Sequence, residues 1–272
     1  MSEPNWTEIC ECESAGEVVA QDYCRQATAP EQSPIDDYYT YVEDLLLLGD
    51  AKKLESTDTL GRLLLLGLVT GVELYFRSIL AGVIRVCPVS RRIAADQLVP
   101  FGAVDFYGPA AVEWALFDTY SLAGADEIRT RTRKLLGIEL QRANSSIEAA
   151  MNEFDKLCHF RHAAVHARGT LGRGNAVALG LAEVGANTAV HLTLPTLHAA
   201  GVACHSVVRA YNRFVFRKLV ERWIGESVLG GTWTSDKARF TELFRLFRSR
   251  IDKTGPTNAY HAYRAVARSL PA

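Results

Sequence analysis

The feature that most constrains the fold is an apolar segment between Leu60 and Val86. Residues suited to helix capping, Thr57-Asp58-Thr59, precede it, and Cys87-Pro88 follows it. Hydroxyl and carboxylate oxygens accept hydrogen bonds from the first backbone N–H groups of a helix, and proline cannot continue one. Apolar residues occupy nearly every side of this segment when it is drawn as a helix. We therefore predict a long helix at the centre of the protein.

Uninterrupted apolar runs in the chain are short. The longest are Leu45 to Leu48 and Leu63 to Val69, and the second contains Gly67, whereas a membrane-spanning helix needs about 20 apolar residues. The opening residues, 1–5, contain no apolar run after a basic stretch, as a secretory or transit signal would. The six cysteines are scattered and lack the paired spacing of a zinc site, which favours a reducing compartment. We predict a soluble, cytoplasmic protein without membrane partner, structural metal or cofactor.

Apolar periodicity and capping residues predict further helices, and one short pair of strands. The predicted helices cover residues 35–54, 110–120, a segment starting at 126, 145–167, 195–225, 236–251 and 257–270. The alternating runs 177–181 and 190–194, with Gly185-Ala186-Asn187 between them, predict a β-hairpin. The expected fold class is mostly α, a helical bundle with a small β-hairpin insertion.

Charge is distributed unevenly along the chain. Residues 1–60 carry 14 Asp and Glu against 3 Lys and Arg, so the remaining 212 carry 17 acidic and 27 basic residues. A basic body is typical of proteins that bind phosphate groups. The acidic segment either screens that surface or is simply solvated. We predict three regions: an acidic N-terminal extension with one helix (1–58), a helical domain (59–228) and basic C-terminal helices packed on it (229–272).

The end of the predicted helix 145–167 is dense in imidazole and guanidinium groups. His159, His162 and His166 share one face at about 100° per residue, while Arg161 and Arg168 lie on another, about 140° from His166. One hypothesis is that the three histidines bind a metal ion, but Ala163 and Ala164 supply no carboxylate beside them.

The second hypothesis pairs Arg161 with His166. A permanent cation stabilises phosphate oxygens, and imidazole, which titrates near neutrality, transfers protons. These groups suffice for RNA cleavage without metal, because RNA carries its own nucleophile in the ribose 2′-OH. One helix cannot easily direct both groups at one phosphate, whereas two copies meeting across a two-fold axis can. The pattern therefore predicts a homodimer that acts on RNA.

The segment Arg161-His162-Ala163-Ala164-Val165-His166 resembles the Arg-x4-His motif of the HEPN superfamily, which comprises helical ribonucleases and RNA-binding modules of prokaryotic toxin and anti-phage systems. The resemblance in layout covers residues 60–225. It implies that Arg161 and His166 are catalytic, that His162 assists, that Glu73 supports Arg161, and that an antitoxin or defence-system protein is a partner. Some toxins of the family have Tyr where this chain has Arg168, so modification of such a Tyr is not predicted.

Other charged residues have alternative interpretations. Glu73 and Arg77 are spaced to pair with each other along a helix. A basic cluster either contacts RNA phosphates or forms a solvated face; it comprises Arg129, Arg131, Arg133 and Lys134, and Arg168 is a further candidate for RNA binding. For the whole protein, the alternatives to a ribonuclease are a HEPN-like module that binds RNA or a partner without cutting, and a helical scaffold whose histidines only cap and pack a helix.

Overall fold

The computed structural model describes residues 4–5, 16–27, 32–140, 145–181, 183, 185, 187–253 and 255–267. The chain divides into two units, Met1–Glu31 and Gln32–Ala272. In the first unit, the described residues include one 3-10 turn, Ala20–Tyr23, which has no buried residue. The first α-helix, Pro34–Leu46, belongs to the second unit, although the sequence analysis assigned it to the N-terminal extension.

The second unit is helical, which confirms the mostly α prediction. Its described residues form α1 (Pro34–Leu46), α2 (Ala51–Ser56), α3 (Asp58–Val86), α4 (Pro88–Ala94), α5 (Phe101–Tyr107), α6 (Ala125–Arg131), α7 (Ser146–His166), α8 (Arg173–Ala178), α9 (Leu194–Gly225), α10 (Trp233–Phe247) and α11 (Ala259–Ala267). A 3-10 helix, Val112–Phe117, precedes α6, and a π-helical turn, Thr132–Leu136, follows it.

Helix α3 lies at the centre of this unit, as predicted. Its first turn is capped by Thr57, whose Oγ1 accepts from the N–H of Thr59 at 3.2 Å. Helices α1, α2, α4, α7, α9 and α10 all pack against it. Phe76 meets Tyr211 of α9 edge to face, with ring centroids 4.7 Å apart. Full burial of each such side chain contributes about 1.5–3 kcal/mol, so these contacts explain why α3 is apolar nearly all round.

Helix α3, with 29 residues, is long enough and apolar enough to cross a membrane, by length and composition alone. Its most apolar 18-residue window has a mean hydropathy of 1.7, and 56% of that window is buried inside the protein. The prediction from uninterrupted apolar runs did not anticipate this, because Gly67, Thr70 and Gly71 break the runs without making the helix polar. Packing against six neighbouring helices accounts for the composition.

The predicted β-hairpin is wrong, since the described residues of its two runs form no strands. The first alternating run overlaps α8, and the second ends where α9 begins at Leu194. The described residues contain one isolated bridge, Thr170 to Ala189, flanked by a 2.8 Å hydrogen bond from Leu171 N–H to the carbonyl of Thr188. Alternation in 190–192 thus reflects burial of Val190 and Leu192 beside the turn after α7. It does not reflect pairing with 177–181.

A buried carboxylate in α1 holds the segment that follows α10. Asp36 accepts from Ser249 Oγ at 2.5 Å and from the N–H of Arg250 at 2.8 Å. Only 2% of Asp36 is exposed, so its charge must be satisfied by these donors. This contact joins the first and last parts of the second unit, which also contains the C-terminal helices predicted to pack on the helical domain.

Candidate active site

Helix α7 carries the Arg161 to His166 motif and has a defined start and end. Ser145 Oγ accepts from the N–H of Glu148 at 3.3 Å. At the other end, the N–H of Gly169 donates to the carbonyl of Ala163 at 2.9 Å, a helix-ending contact that reverses the chain. Gly169 has φ +92°, and a Cβ there would lie 2.3 Å from Arg62 Nε. The positive φ favours glycine here, and any larger residue would also displace the guanidinium of Arg62.

Arg62, in the first half of α3, holds the turn after α7. Its guanidinium donates to the carbonyls of Arg168 and Val190 and to Asp58 Oδ2. His191 Nδ1 lies 2.6 Å from the other oxygen of Asp58, and this hydrogen bond is the main reason why the pKa of Asp58 is lowered. The backbone of Arg168 is thus fixed, while its side chain is exposed at the surface.

A chain of polar contacts runs along one face of α7 and includes Asn175 of α8. His159 Nδ1 lies 3.1 Å from Asn175 Oδ1, and Asn175 Nδ2 lies 3.0 Å from His162 Nδ1. The ring of His162 is 4.6 Å from that of His166, centroid to centroid. Asp155 Oδ2 lies 3.8 Å from His159 Nε2 at the far end. We call Asp155, His159, Asn175, His162 and His166 the histidine cluster.

The amide of Asn175 contacts one ring nitrogen of each of two histidines. Its Oδ1 faces His159 Nδ1 and its Nδ2 faces His162 Nδ1. An amide presents an acceptor on one side and a donor on the other, so the two rings take opposite hydrogen-bond roles toward it. Sequence patterns gave no indication of Asn175, because it lies between the predicted helix 145–167 and the predicted strand 177–181, and no local pattern links it to α7.

Arg161 lies apart from the histidine cluster. Five positions separate it from His166, which is a rotation of about 140° around the helix. Its side chain is partly exposed and makes no hydrogen bond or ion pair with the residues that the structure describes. Burial and nearby acidic groups raise the pKa of the Cys158 thiol, and the positive charge of Arg161 acts in the opposite direction. The guanidinium of Arg161 is therefore available to bind an anion.

Glu73 and Arg77 form the intrahelical pair that the sequence offered as an alternative. Glu73 Oε1 accepts from Arg77 Nη2 at 3.2 Å and from the N–H of Leu122 at 2.8 Å. Arg77 also donates to the carbonyls of Phe117 and Tyr120. Among the contacts of the described residues, none joins Glu73 to Arg161. Glu73 and Arg77 both hold the segment before α6, and the support of Arg161 by Glu73 stays a prediction.

The basic cluster separates into paired and exposed members. Arg129 binds Asp126 and Glu148 at 3.0 Å, and Arg131 binds Glu127 at 2.5 Å and lies over the ring of Tyr120; both side chains are 13% exposed. Arg133, 3.7 Å from Glu139, and Lys134 face the surface. Arg129 and Arg131 are therefore occupied by ion pairs, whereas Arg133, Lys134 and Arg168 have exposed side chains; contact of any of them with RNA stays a prediction.

The three-histidine metal hypothesis gains no support from the geometry. Within the described part of the chain, no group of three His, Cys, Asp or Glu side chains is arranged to hold a metal ion. His159 and His162 both direct Nδ1 at the amide of Asn175.

No family model matches the chain, and no curated protein or solved structure matches it significantly. Function must be inferred from the site itself.

For the RNA cleavage predicted from the sequence, we expect Asn175→Ala to lower the rate by about 10-fold, because His162 loses the hydrogen bond that orients it. Asn175→Asp places a carboxylate beside both histidines, which favours their charged forms. The pH profile of cleavage should therefore move to higher pH in Asn175→Asp than in the wild type. A purely structural role for Asn175 would change the melting temperature without moving the pH profile.

Proposed function

We propose that this protein is a metal-independent endoribonuclease of the HEPN type, acting in the cytoplasm as a toxin or anti-phage effector. The observation that carries the proposal is the arrangement at the end of α7. There a guanidinium that makes no hydrogen bond or ion pair with the described residues, Arg161, is followed by two adjacent imidazoles, His162 and His166, the first oriented by Asn175.

Each group has a role in the cleavage step. One imidazole accepts the proton of the ribose 2′-OH as the oxygen attacks phosphorus, and the bond from phosphorus to the 5′-oxygen breaks. The leaving oxygen takes a proton from an imidazolium, and the products are a 2′,3′-cyclic phosphate and a 5′-hydroxyl. Arg161 stabilises the charge on the phosphate oxygens in the transition state. We assign proton transfer to His166 and assistance to His162.

The rotation between Arg161 and His166 leads to the second part of the proposal, a homodimer through the α7 helices. In a two-fold arrangement, each surface patch meets its own copy, so Arg161 of one protomer lies near the motif of the other. Two cleavage sites are then built at the interface. An antitoxin or another defence-system protein that covers this interface would silence both.

The test is to incubate the protein with total RNA in the presence of a chelator. We expect cleavage to proceed, and the new ends to be 2′,3′-cyclic phosphates and 5′-hydroxyls, because the nucleophile is the ribose 2′-OH. The 3′ ends are identified because a phosphatase alone does not make them ligatable, whereas an enzyme that opens the cyclic phosphate, followed by removal of the resulting phosphate, restores a ligatable 3′-OH. Cleavage only with added divalent metal would contradict the proposal.

A second candidate function follows from the same separation of Arg161 and His166. In one chain, the two groups lie on different sides of α7, so a protein that acts as a monomer would bind RNA or a partner without cutting. Expression in bacteria distinguishes the candidates. A wild-type protein as harmless as its His166→Ala variant favours the binding module.

A further inference from the structure

A second charged feature lies on the flank of α7 opposite the histidine cluster. There the first half of α7 and the middle of α9 line an open groove with a volume of about 1440 Å³. Glu153, which lines the groove, is nine positions before His162, a rotation of about 180° around the helix. The groove and the histidine cluster are therefore separate surfaces of the same helix.

Three arginines of α9 line the groove in a row. Arg209, Arg213 and Arg217 are four residues apart, so they follow one side of the helix at a rise of about 6 Å per step. We call this surface the arginine groove. Successive guanidiniums at such intervals are suited to an extended polyanion.

The charges in the groove are only partly neutralised. Arg209 lies 3.3 Å from Asp252 and Arg217 lies 3.5 Å from Glu221, and both side chains are at least half exposed. Arg213 is exposed and makes no hydrogen bond or ion pair with the described residues. Glu153 contributes the one carboxylate among the lining residues, and Lys156 lies 2.7 Å from it. The groove is therefore positive, with Arg213 at the centre of the row.

The shape of the groove favours a polymer over a compact ligand. Its volume of about 1440 Å³ exceeds the roughly 300–1,000 Å³ of small-molecule pockets, and it is open to solvent. Small residues line it, including Ala149 and Ala203, whose short side chains leave room for an extended chain to approach the helix backbones. A positively charged groove that follows a nucleic-acid backbone is characteristic of single-strand binding.

We propose that the arginine groove binds the phosphate backbone of a single-stranded RNA. The choice of RNA as the polyanion rests on the proposed function, whereas the binding of a polyanion rests on the groove alone. Arg213 makes the principal phosphate contact, and Arg209 and Arg217 extend the contact along the strand. Part of an RNA held at α7 then lies away from the cleavage site.

The test measures binding without cleavage. The probe is a fluorescein-labelled, single-stranded 2′-O-methyl oligoribonucleotide, whose blocked 2′-oxygen cannot attack phosphorus, and the readout is fluorescence anisotropy over a range of salt concentrations. We expect Arg213→Gln to raise Kd by about 5-fold and to lower the slope of log Kd against log salt by about 0.7 for each phosphate that the variant no longer neutralises. Glu153→Gln should lower Kd, because it removes a negative charge from the groove.

Arg245→Gln is the matched control, since it removes an exposed arginine of α10 that does not line the groove. The Kd of this variant should stay within about 2-fold of wild type, because salt largely screens the effect of a charge distant from the groove. Equal weakening by Arg213→Gln and Arg245→Gln, or no weakening by either, overturns the proposal. Displacement of the probe by polyglutamate as readily as by RNA assigns the groove to an acidic protein and also overturns it. Arg213-dependent binding together with intact unmodified RNA overturns only the proposed cleavage.

Discussion

Replacement of either Arg161 or His166 by alanine is expected to reduce RNA cleavage by at least about 100-fold. In the proposed mechanism His166 transfers protons, and such a group contributes about 100- to 10,000-fold in acid–base catalysis. Arg161 is proposed to stabilise the phosphate oxygens, an effect of similar size. The measurement is the initial rate at which a labelled RNA is cut by equal concentrations of folded wild-type and variant proteins in chelator.

The positions of both side chains make this experiment interpretable. His166 is exposed and Arg161 is partly exposed, so neither alanine leaves a cavity in the core. Melting temperatures should therefore match the wild type, as they generally do for surface substitutions. His191→Ala is a useful control because it removes an exposed histidine bound to Asp58, outside the histidine cluster. Full activity in the Arg161→Ala/His166→Ala double variant would exclude the proposed chemistry.

The largest expected effect on stability comes from Asp236. This carboxylate is 4% exposed and accepts from the N–H groups of Gly230 and Gly231, from Ser235 Oγ and from Tyr263 OH at 2.7–3.0 Å. Asp236→Ala leaves these donors without their acceptor beneath α11. We expect the free energy of unfolding to fall by about 3 kcal/mol, measured by urea denaturation.

Two further variants and the pH dependence check this explanation. Asp236→Asn keeps an acceptor and should cost less than Asp236→Ala, and Glu242→Ala, at an exposed position in the same helix, should change stability by less than about 0.5 kcal/mol. Burial opposes ionisation of Asp236, but its hydrogen bonds outweigh burial and lower its pKa. Its contribution is thus complete above the unfolded pKa, near 3.8, and is lost as pH falls through the folded value. A pH profile unchanged in Asp236→Asn would contradict this assignment.

The sequence predicted those parts of the fold that local signals determine. The predicted helix at 60–86 is α3, because a capping threonine and a following proline determine its ends. The predicted end of the helix 145–167 is also found, since α7 ends at His166 and Gly169 follows it with a positive φ that favours glycine. The prediction of a β-hairpin was wrong because alternation over five residues does not distinguish a strand from a half-buried helix or turn. Packing against the rest of the protein decides between them.

The candidate site was predicted less completely. The position of His159, His162 and His166 on one face followed from helical periodicity alone. The role of Asn175 did not, because it depends on α8 returning to α7. Likewise, the basic cluster gave no indication that Glu148, in another helix, binds Arg129 and keeps it 13% exposed. Whether a charged side chain is paired or available depends on partners that are distant in the sequence. A local sequence pattern does not reveal those partners.

The most direct test of the account is to mix the Arg161→Ala and His166→Ala proteins and measure RNA cleavage. If each site combines Arg161 of one protomer with His166 of the other, a mixed dimer contains one intact site. Random exchange of protomers should then restore about a quarter of the wild-type rate, since about half of the dimers are mixed and each has one of two sites. Activity that stays at the level of the separate variants, although exchange of labelled protomers is observed, would contradict a site shared between two chains.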